Sequence, residues 1–383
     1  MTEFDYIIVG GGASGLQLAD ALGSDPYFSD KRIALFERQA QKSNDRTWCF
    51  WEAGAGKFDA LLTKSWDHLH FRGPEFESTT PLHPYRYKML RGQDFYREYH
   101  KRIAQYPNIE VRFEEVQSIE TGDPRSVVKT VSGEYRAGIV FSSVSFEPIE
   151  KLMKPFPVLQ QHFVGWFVRC KEPVFDPEAP TFMDFSIPQK GNTRFMYVLP
   201  QSPKEALVEY TLFSESLLET GEYEAALKTY LKEDLGNPSY EIVETERGSI
   251  PMTANDFTVA DRPNLVHIGI AGGWAKASTG YTFWNTSQKV PQLVKALKNG
   301  EPLKMAVKSK FWYYDRLMLD VLARENEKGS LIFSMLFQSL SPQLIFKFLH
   351  EETSFAEDFK IINSCPKGMF IRAFWKALTK SPY

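Results

Sequence analysis

The stretch from Phe4 to Leu16 constrains this chain most. An apolar run, Tyr6 to Val9, reads as a buried parallel strand and ends in Gly10-Gly11-Gly12-Ala13-Ser14-Gly15. That is G-x-G-x-x-G in register, and Leu16, Leu18, Ala19 and Leu22 follow at helical spacing. The pattern predicts strand, tight turn and helix. Gly10 permits the turn, Gly12 lets backbone approach a pyrophosphate, and Gly15 lets helix and strand pack closely. The helix N-terminus at Ala13 and Ser14 offers unpaired N–H groups and a positive dipole end to phosphates. A second strand, Arg32 to Phe36, ends in Glu37, 22 residues beyond Gly15. A carboxylate at that distance is placed to accept hydrogen bonds from ribose hydroxyls and to repel a 2′-phosphate.

A second strand–glycine–helix unit occurs late in the chain. Leu265 to Ile270 runs into Gly272 and Gly273, then Ser278-Thr279-Gly280-Tyr281 and a helix from Asn285 to Lys298. It would aim another helix N-terminus at the same cofactor. Arg46 and Thr47, shortly after Glu37, are placed for further dinucleotide contacts; an ion pair of Arg46 with Asp45 or Glu52 is the other reading.

Between these units lie four strand signals at hairpin spacing, near 163–168, 181–185, 194–200 and 206–212. They predict an antiparallel sheet. Asp184 and Glu209 sit inside these apolar strands. A buried carboxylate is costly unless paired or protonated, so each is a candidate acid unless strand alternation turns it outward.

The net charge of −3 argues against nucleic-acid binding. Cys49, Cys170 and Cys365 form no C-x-x-C pair, so neither a disulfide framework nor a metal site is expected. No signal peptide precedes the first strand and no apolar run reaches the length of a membrane span. The 30 phenylalanines fit a large core, a broad apolar pocket or a lipid-facing surface. Residues 331–349 are dense in large apolar groups; core packing is the default reading of them, and they are also the candidate lipid contact.

Taken together, the motifs resemble the bacterial lycopene cyclase family over nearly the whole chain. Besides the opening motif, the stretches that carry the likeness are Asp45 to Phe50, Gln161 to Gly165, Phe182 to Asp184, Arg194 to Pro200, Leu207 to Thr211, Glu246 to Pro251 and Ser278 to Tyr281. The resemblance implies an α/β flavoprotein: a Rossmann-type FAD/NAD(P)-binding domain, an antiparallel-sheet substrate domain and a helical C-terminal region. The implied domains are 1–75, 106–150 and 241–298 for FAD, 76–105 and 151–240 for substrate, and 299–383 for the helices. It implies FAD, active when reduced, with NADPH as electron source. The substrate would be membrane-dissolved lycopene, whose linear ends become β-ionone rings without net redox change. The protein would then sit peripherally on the cytoplasmic face of a membrane.

The family's catalytic Glu maps onto Glu209, with Tyr210 where a second acid is common. Asp184 matches the family's Met-Asp. Trp166, Tyr197 and Tyr281 could shield a cation through their π faces. A plant-cyclase-like run at Phe348 to Thr353 lies too late in the chain and reads as a helix end. A monooxygenase or isoprenoid reductase of the same fold, and a non-catalytic carotenoid- or lipid-binding protein, are the competing readings.

Overall fold

A computed structural model describes residues 2–146, 155–303 and 308–379. The chain divides into two compact units. The first holds residues 1–44, 92–156 and 255–309; the second holds 45–91, 157–254 and 310–383.

The first unit is built on a mostly parallel sheet. Its order is Ile109–Arg112, Ile33–Phe36, Thr2–Val9, Gly133–Ser142, Ser126–Thr130 and Val116–Glu120. Leu265–His267 joins in parallel beside the far end of Gly133–Ser142. The hairpin expected around 127–141 is present, with Ser126–Thr130 antiparallel to Gly133–Ser142 and the latter parallel to Thr2–Val9. Phe4, Ile7, Val9, Ala34, Phe36, Val140 and Leu265 pack into one core. The helix Ala13–Ser24 lies against Gly92–Ile103 and Phe283–Asn299.

The second unit is built on a sheet ordered Tyr240–Met252, Leu159–Cys170, Glu205–Ser214, Thr193–Ser202, Thr181–Asp184, His68–Arg72 and Glu77–Pro81. A smaller sheet pairs Thr47–Ala53, Tyr85–Arg91 and Lys64–Trp66. One face of the large sheet is covered by the helix Thr220–Glu233. There Trp166, Met196, Val208, Tyr210, Leu212, Tyr223, Leu227 and Tyr230 form a core.

The expected boundaries differ from these units. Residues 45–75 and 241–254 pack with the second unit and 92–105 with the first. Strand pairing is the reason: Thr47–Ala53 completes a sheet with Tyr85–Arg91, and Tyr240–Met252 pairs along the length of Leu159–Cys170. The boundary expected at 150–151 lies outside the described residues.

The helices Lys310–Leu322, Gly329–Ser339, Pro342–Leu349, Phe355–Asn363 and Lys367–Thr379 also belong to the second unit. Within residues 331–349 several of the largest rings pack into the core. Phe333 and Phe337 are 9% and 7% exposed. Phe337 stacks on Phe71 at 4.2 Å, Phe333 on Phe185 at 5.5 Å and Phe346 on Trp51 at 4.3 Å. These rings cover sheet residues, and Leu331 is the large apolar group that stays exposed among them. Further along the helices, Phe355, Phe359, Ile362, Ile371, Phe374 and Trp375 are exposed. No helix among the described residues is long and apolar enough to cross a membrane.

Candidate active site

In the first unit the glycine turn has the geometry of a phosphate cradle. Gly10 adopts φ +96°, and a Cβ there would lie 2.1 Å from Ser143 Oγ. A Cβ on Gly15 would meet the Gly10 carbonyl oxygen at 1.9 Å, so the helix can approach the strand only without it. Gly12, the residue before the helix, is different: a Cβ there would meet nothing within 4 Å. Its open side, no side-chain cap and no acid in the first helical turn leave the N–H groups from Ala13 and Ser14 onward available to an anion.

The late glycine turn belongs to the same unit. Gly269 backs onto Ser14, where a Cβ would lie 2.5 Å from Ser14 Oγ. Gly272 presses on the His267 carbonyl, and Gly273 takes φ +69°. Gly280 closes a turn by donating to the Lys276 carbonyl at 2.8 Å. Thr279 Oγ1 beside it is buried without a partner among the described residues, as a ligand-facing hydroxyl would be. These residues fit a dinucleotide pyrophosphate.

Glu37 ends its strand buried. It accepts from Gly11 N at 2.8 Å and Gln39 N at 3.1 Å and pairs with Lys42 Nζ at 2.8 Å. Burial pushes its carboxyl up, but Lys42 and the two N–H groups outweigh burial and hold it below the usual range. Lys42 also donates to the Gly11 carbonyl at 2.9 Å and so ties the acid to the turn. Nothing in the sequence pattern marked Lys42.

Arg46 and Thr47 fall in the second unit. Arg46 donates to the carbonyls of Asp45 at 2.7 Å and Arg247 at 3.2 Å, while Glu52 pairs with Lys88 instead. Thr47 donates to Glu246 Oε2 at 2.7 Å.

That bond leads to the principal chemical feature of the second unit. In the large sheet Gly165 stands opposite Glu209 on one neighbouring strand and opposite Glu246 on the other. Directly paired residues point to one face, so both glutamates stand over a residue without a side chain. A Cβ on Gly165 would sit 3.2 Å from Glu246 Cγ and 3.4 Å from Glu209 Cβ. Its absence lets the two carboxyls meet and hydrogen-bond. Thr211 Oγ1 donates to Glu209 Oε1 at 2.6 Å, as Thr47 does to Glu246.

Both acids are buried. Burial, then the charge of Glu246, push Glu209 well above the usual carboxyl range, against the Thr211 bond. Burial raises Glu246 too and outweighs the bonds from Thr47 and Glu209 that favour its anion. Both carboxyls are thus held above the ordinary range, as two acids too close to ionise together would be. Cys49 lies beside the pair, its thiol pushed up by burial and by both acids. Gly165 and Glu246 carried no role in the sequence. A glycine inside a strand, the signature of close approach, was the one available signal.

Asp184 does not join this site. It pairs with Met196, which pairs with Tyr210, so all three share the face under the helix Thr220–Glu233. Glu209 pairs with Tyr197 and lies on the other face. Asp184 Oδ2 accepts from Tyr230 at 2.8 Å and lies 3.5 Å from Arg72 Nη1; Oδ1 accepts from Ser186 N at 2.9 Å. Of the candidate aromatics, Trp166 packs on the Asp184 face, Tyr197 is the cross-strand neighbour of Glu209, and Tyr281 belongs to the first unit. Tyr197 meets Phe182 edge-on at 5.9 Å, and Phe182 meets Tyr87 at 5.4 Å and Trp51 at 6.4 Å. These rings form an aromatic wall beside the acid pair.

Comparison with known proteins bears on the fold and the family. A structure from Thermoplasma acidophilum described as geranylgeranyl bacteriochlorophyll reductase-like superposes with a TM-score of 0.63 at 11% identity, covering 97% of this chain and 98% of that one. A flavoprotein/dehydrogenase from Cytophaga hutchinsonii gives 0.61 at 13% identity, covering 97% and 99%. The fold is thus that of flavoprotein reductases and dehydrogenases. In sequence, a lycopene beta-cyclase from Paracoccus sp. (strain N81106 / MBIC 01143) is 25% identical over 362 residues, covering 90% of this chain and 86% of its own length. The family model described as lycopene cyclase protein matches residues 5–378, and the chain belongs to the lycopene cyclase family.

Proposed function

We propose that the protein is a flavin-dependent lycopene β-cyclase in which Glu209 protonates the substrate. The observation that carries this reading is a pair of buried carboxyls, Glu209 and Glu246, brought together over Gly165 on the aromatic face of the sheet. Cyclisation starts when a proton is added to a terminal carbon–carbon double bond. Such a bond is a poor base, so the acid must be neutral at working pH and shielded from water. Burial and the charge of Glu246 raise Glu209 and so favour its neutral form, and Thr211 orients it. Tyr197, Phe182 and Tyr87 offer π faces to the positive charge that follows.

FAD would be held by Gly10, Gly12, Ala13, Ser14, Gly15, Glu37, Gly272, Gly273, Thr279 and Gly280. Bound FAD, reduced at the expense of NADPH, would supply an electron-rich ring system that favours cationic charge nearby. Arg46 donates to the Asp45 and Arg247 carbonyls, and the bond of Thr47 to Glu246 assigns Thr47 to the acid site.

The substrate is a hydrocarbon that dissolves in lipid, so the protein works peripherally at the cytoplasmic face of a membrane. We assign the contact to two helices. Phe355 and Phe359 on one, and Trp375 on the other, are 76%, 67% and 61% exposed. Lys360 and Lys367 are interspersed among them, and aromatic plus basic side chains suit an anionic bilayer.

Expression in a lycopene-accumulating bacterial host, with pigments separated by chromatography, tests the function. Ringed carotenes support it. Oxygenated or more saturated pigments favour the monooxygenase or reductase reading. Unchanged lycopene from a flavin-loaded protein favours a binding protein.

A further inference from the structure

We infer that Glu209 and Glu246 share a single proton that performs both halves of the cyclisation, Glu209 giving it to the alkene and the pair taking it back from the ring. This rests on the cyclase reading and adds Glu246, a residue that reading leaves without a role.

The geometry makes the two acids one unit. Their strands flank Leu159–Cys170, and both face the same side at Gly165. Each carboxyl is fixed by one threonine, Thr211 at 2.6 Å and Thr47 at 2.7 Å, on the oxygens Glu209 Oε1 and Glu246 Oε2. Both threonine bonds are donated to the acids, so they steady carboxylate charge without supplying a mobile proton. Other groups around the pair are Cys49, Tyr87 and Tyr197, together with Arg46 and Glu244, which act on Glu246. Glu244 is itself paired with Arg91. Among these, Glu246 exerts the largest charge effect on Glu209.

The steps balance. In the first half the Glu209 O–H bond breaks and a C–H bond forms at the terminal alkene carbon, leaving a tertiary cation. A neighbouring double bond attacks it, closes the ring and moves the positive charge into the ring. The pair now carries two negative charges in a buried site, where like charges repel strongly. In the second half a C–H bond beside the ring cation breaks. Its electron pair becomes the ring double bond, and its proton returns to the pair. One proton enters and one leaves, no oxidant or reductant is consumed, and the pair regains a single negative charge ready for another end.

The test is the titration of Glu209 in Glu246→Gln, which keeps the shape of the pair and removes its charge. It is read in two ways: the infrared carbonyl stretch of the protonated carboxyl against pH, and the alkaline limb of the cyclisation rate on lipid-held lycopene. Loss of the neighbouring charge should move both down by roughly two to three pH units, the size of a unit-charge interaction at about 4–5 Å in a protein. The rate at the optimum should also fall by about tenfold or more. Glu246→Asp keeps the charge and should retain the high limb. A Glu246 that serves only to hold the sheet together would lower the melting temperature and leave both titrations in place, and that result overturns the inference. Rings from the wild type with an unmoved limb in Glu246→Gln overturn it while leaving the cyclase reading intact. A wild type that makes no rings overturns the reading beneath it.

Discussion

Adding one methyl group at Gly165 should uncouple the acid pair without touching either acid. An ideal Cβ there lies 2.8 Å from Leu207 Cδ1, 3.2 Å from Glu246 Cγ and 3.4 Å from Glu209 Cβ. The leucine methyl can turn aside. The glutamate carbons are less free, because each carboxyl is held at its far end by a threonine. The chain must then relieve overpacking of about 1–2 kcal/mol, or let the carboxyls part. In a unit of this size that energy lowers the melting temperature by about 2–8 °C. Parting the carboxyls weakens a charge-assisted hydrogen bond of about 1.5–3 kcal/mol, equivalent to one to two units of pKa at Glu209. Gly165→Ala should therefore melt slightly lower and lose activity at an alkaline limb about one to two pH units below the wild type. Circular-dichroism melts and a pH–rate profile read both effects. A folded, flavin-loaded Gly165→Ala enzyme with the wild-type limb would refute the reasoning, whatever its melting temperature.

Four further outcomes follow from the same geometry. Gly12→Ala enters open space, so it should melt like the wild type yet lose flavin by about tenfold or more, seen in the absorbance of the purified protein. Asp184→Asn removes the charge facing Arg72 and should cost about 2–3 kcal/mol of stability while leaving the alkaline limb unmoved; a shifted limb would return Asp184 to the chemistry. Glu209 holds its proton in the folded protein above the ordinary value of 4.5, so the folded state binds more protons than the unfolded one and stability falls as pH rises through that window, by up to about 1.4 kcal/mol per unit; Glu209→Gln should melt higher than the wild type at pH 8, by calorimetry. Phe359→Ser with Trp375→Ser should cut binding to anionic vesicles by about tenfold or more with the fold intact, whereas Phe333→Ser should destabilise by about 3–5 kcal/mol through its lost packing.

The nucleotide half was legible because its chemistry is local. Gly10, Gly12, Gly15 and Glu37 do their work within one strand–turn–helix–strand unit, so spacing alone carries the geometry. The acid site is assembled by register. Glu209 and Glu246 meet only because both pair with Gly165, and no single-strand pattern reveals a partner 37 positions away. Register also separates Asp184 from Glu209. Both sit in apolar strands, but an irregularity between Thr181 and Asp184 sets which face Asp184 takes. For residues 331–349 composition alone left core and lipid contact both open, because the Phe71, Phe182 and Phe185 rings that receive Phe333 and Phe337 come from distant parts of the chain.

The most direct measurement compares wild type and Glu209→Gln in a lycopene-accumulating host, with flavin content determined on both proteins and the pigments separated. The account predicts ringed carotenes from the wild type and unreacted lycopene from an equally flavin-loaded Glu209→Gln. Ringed carotenes from both would contradict Glu209 as the proton donor, and lycopene unchanged by the flavin-loaded wild type would contradict the cyclase itself.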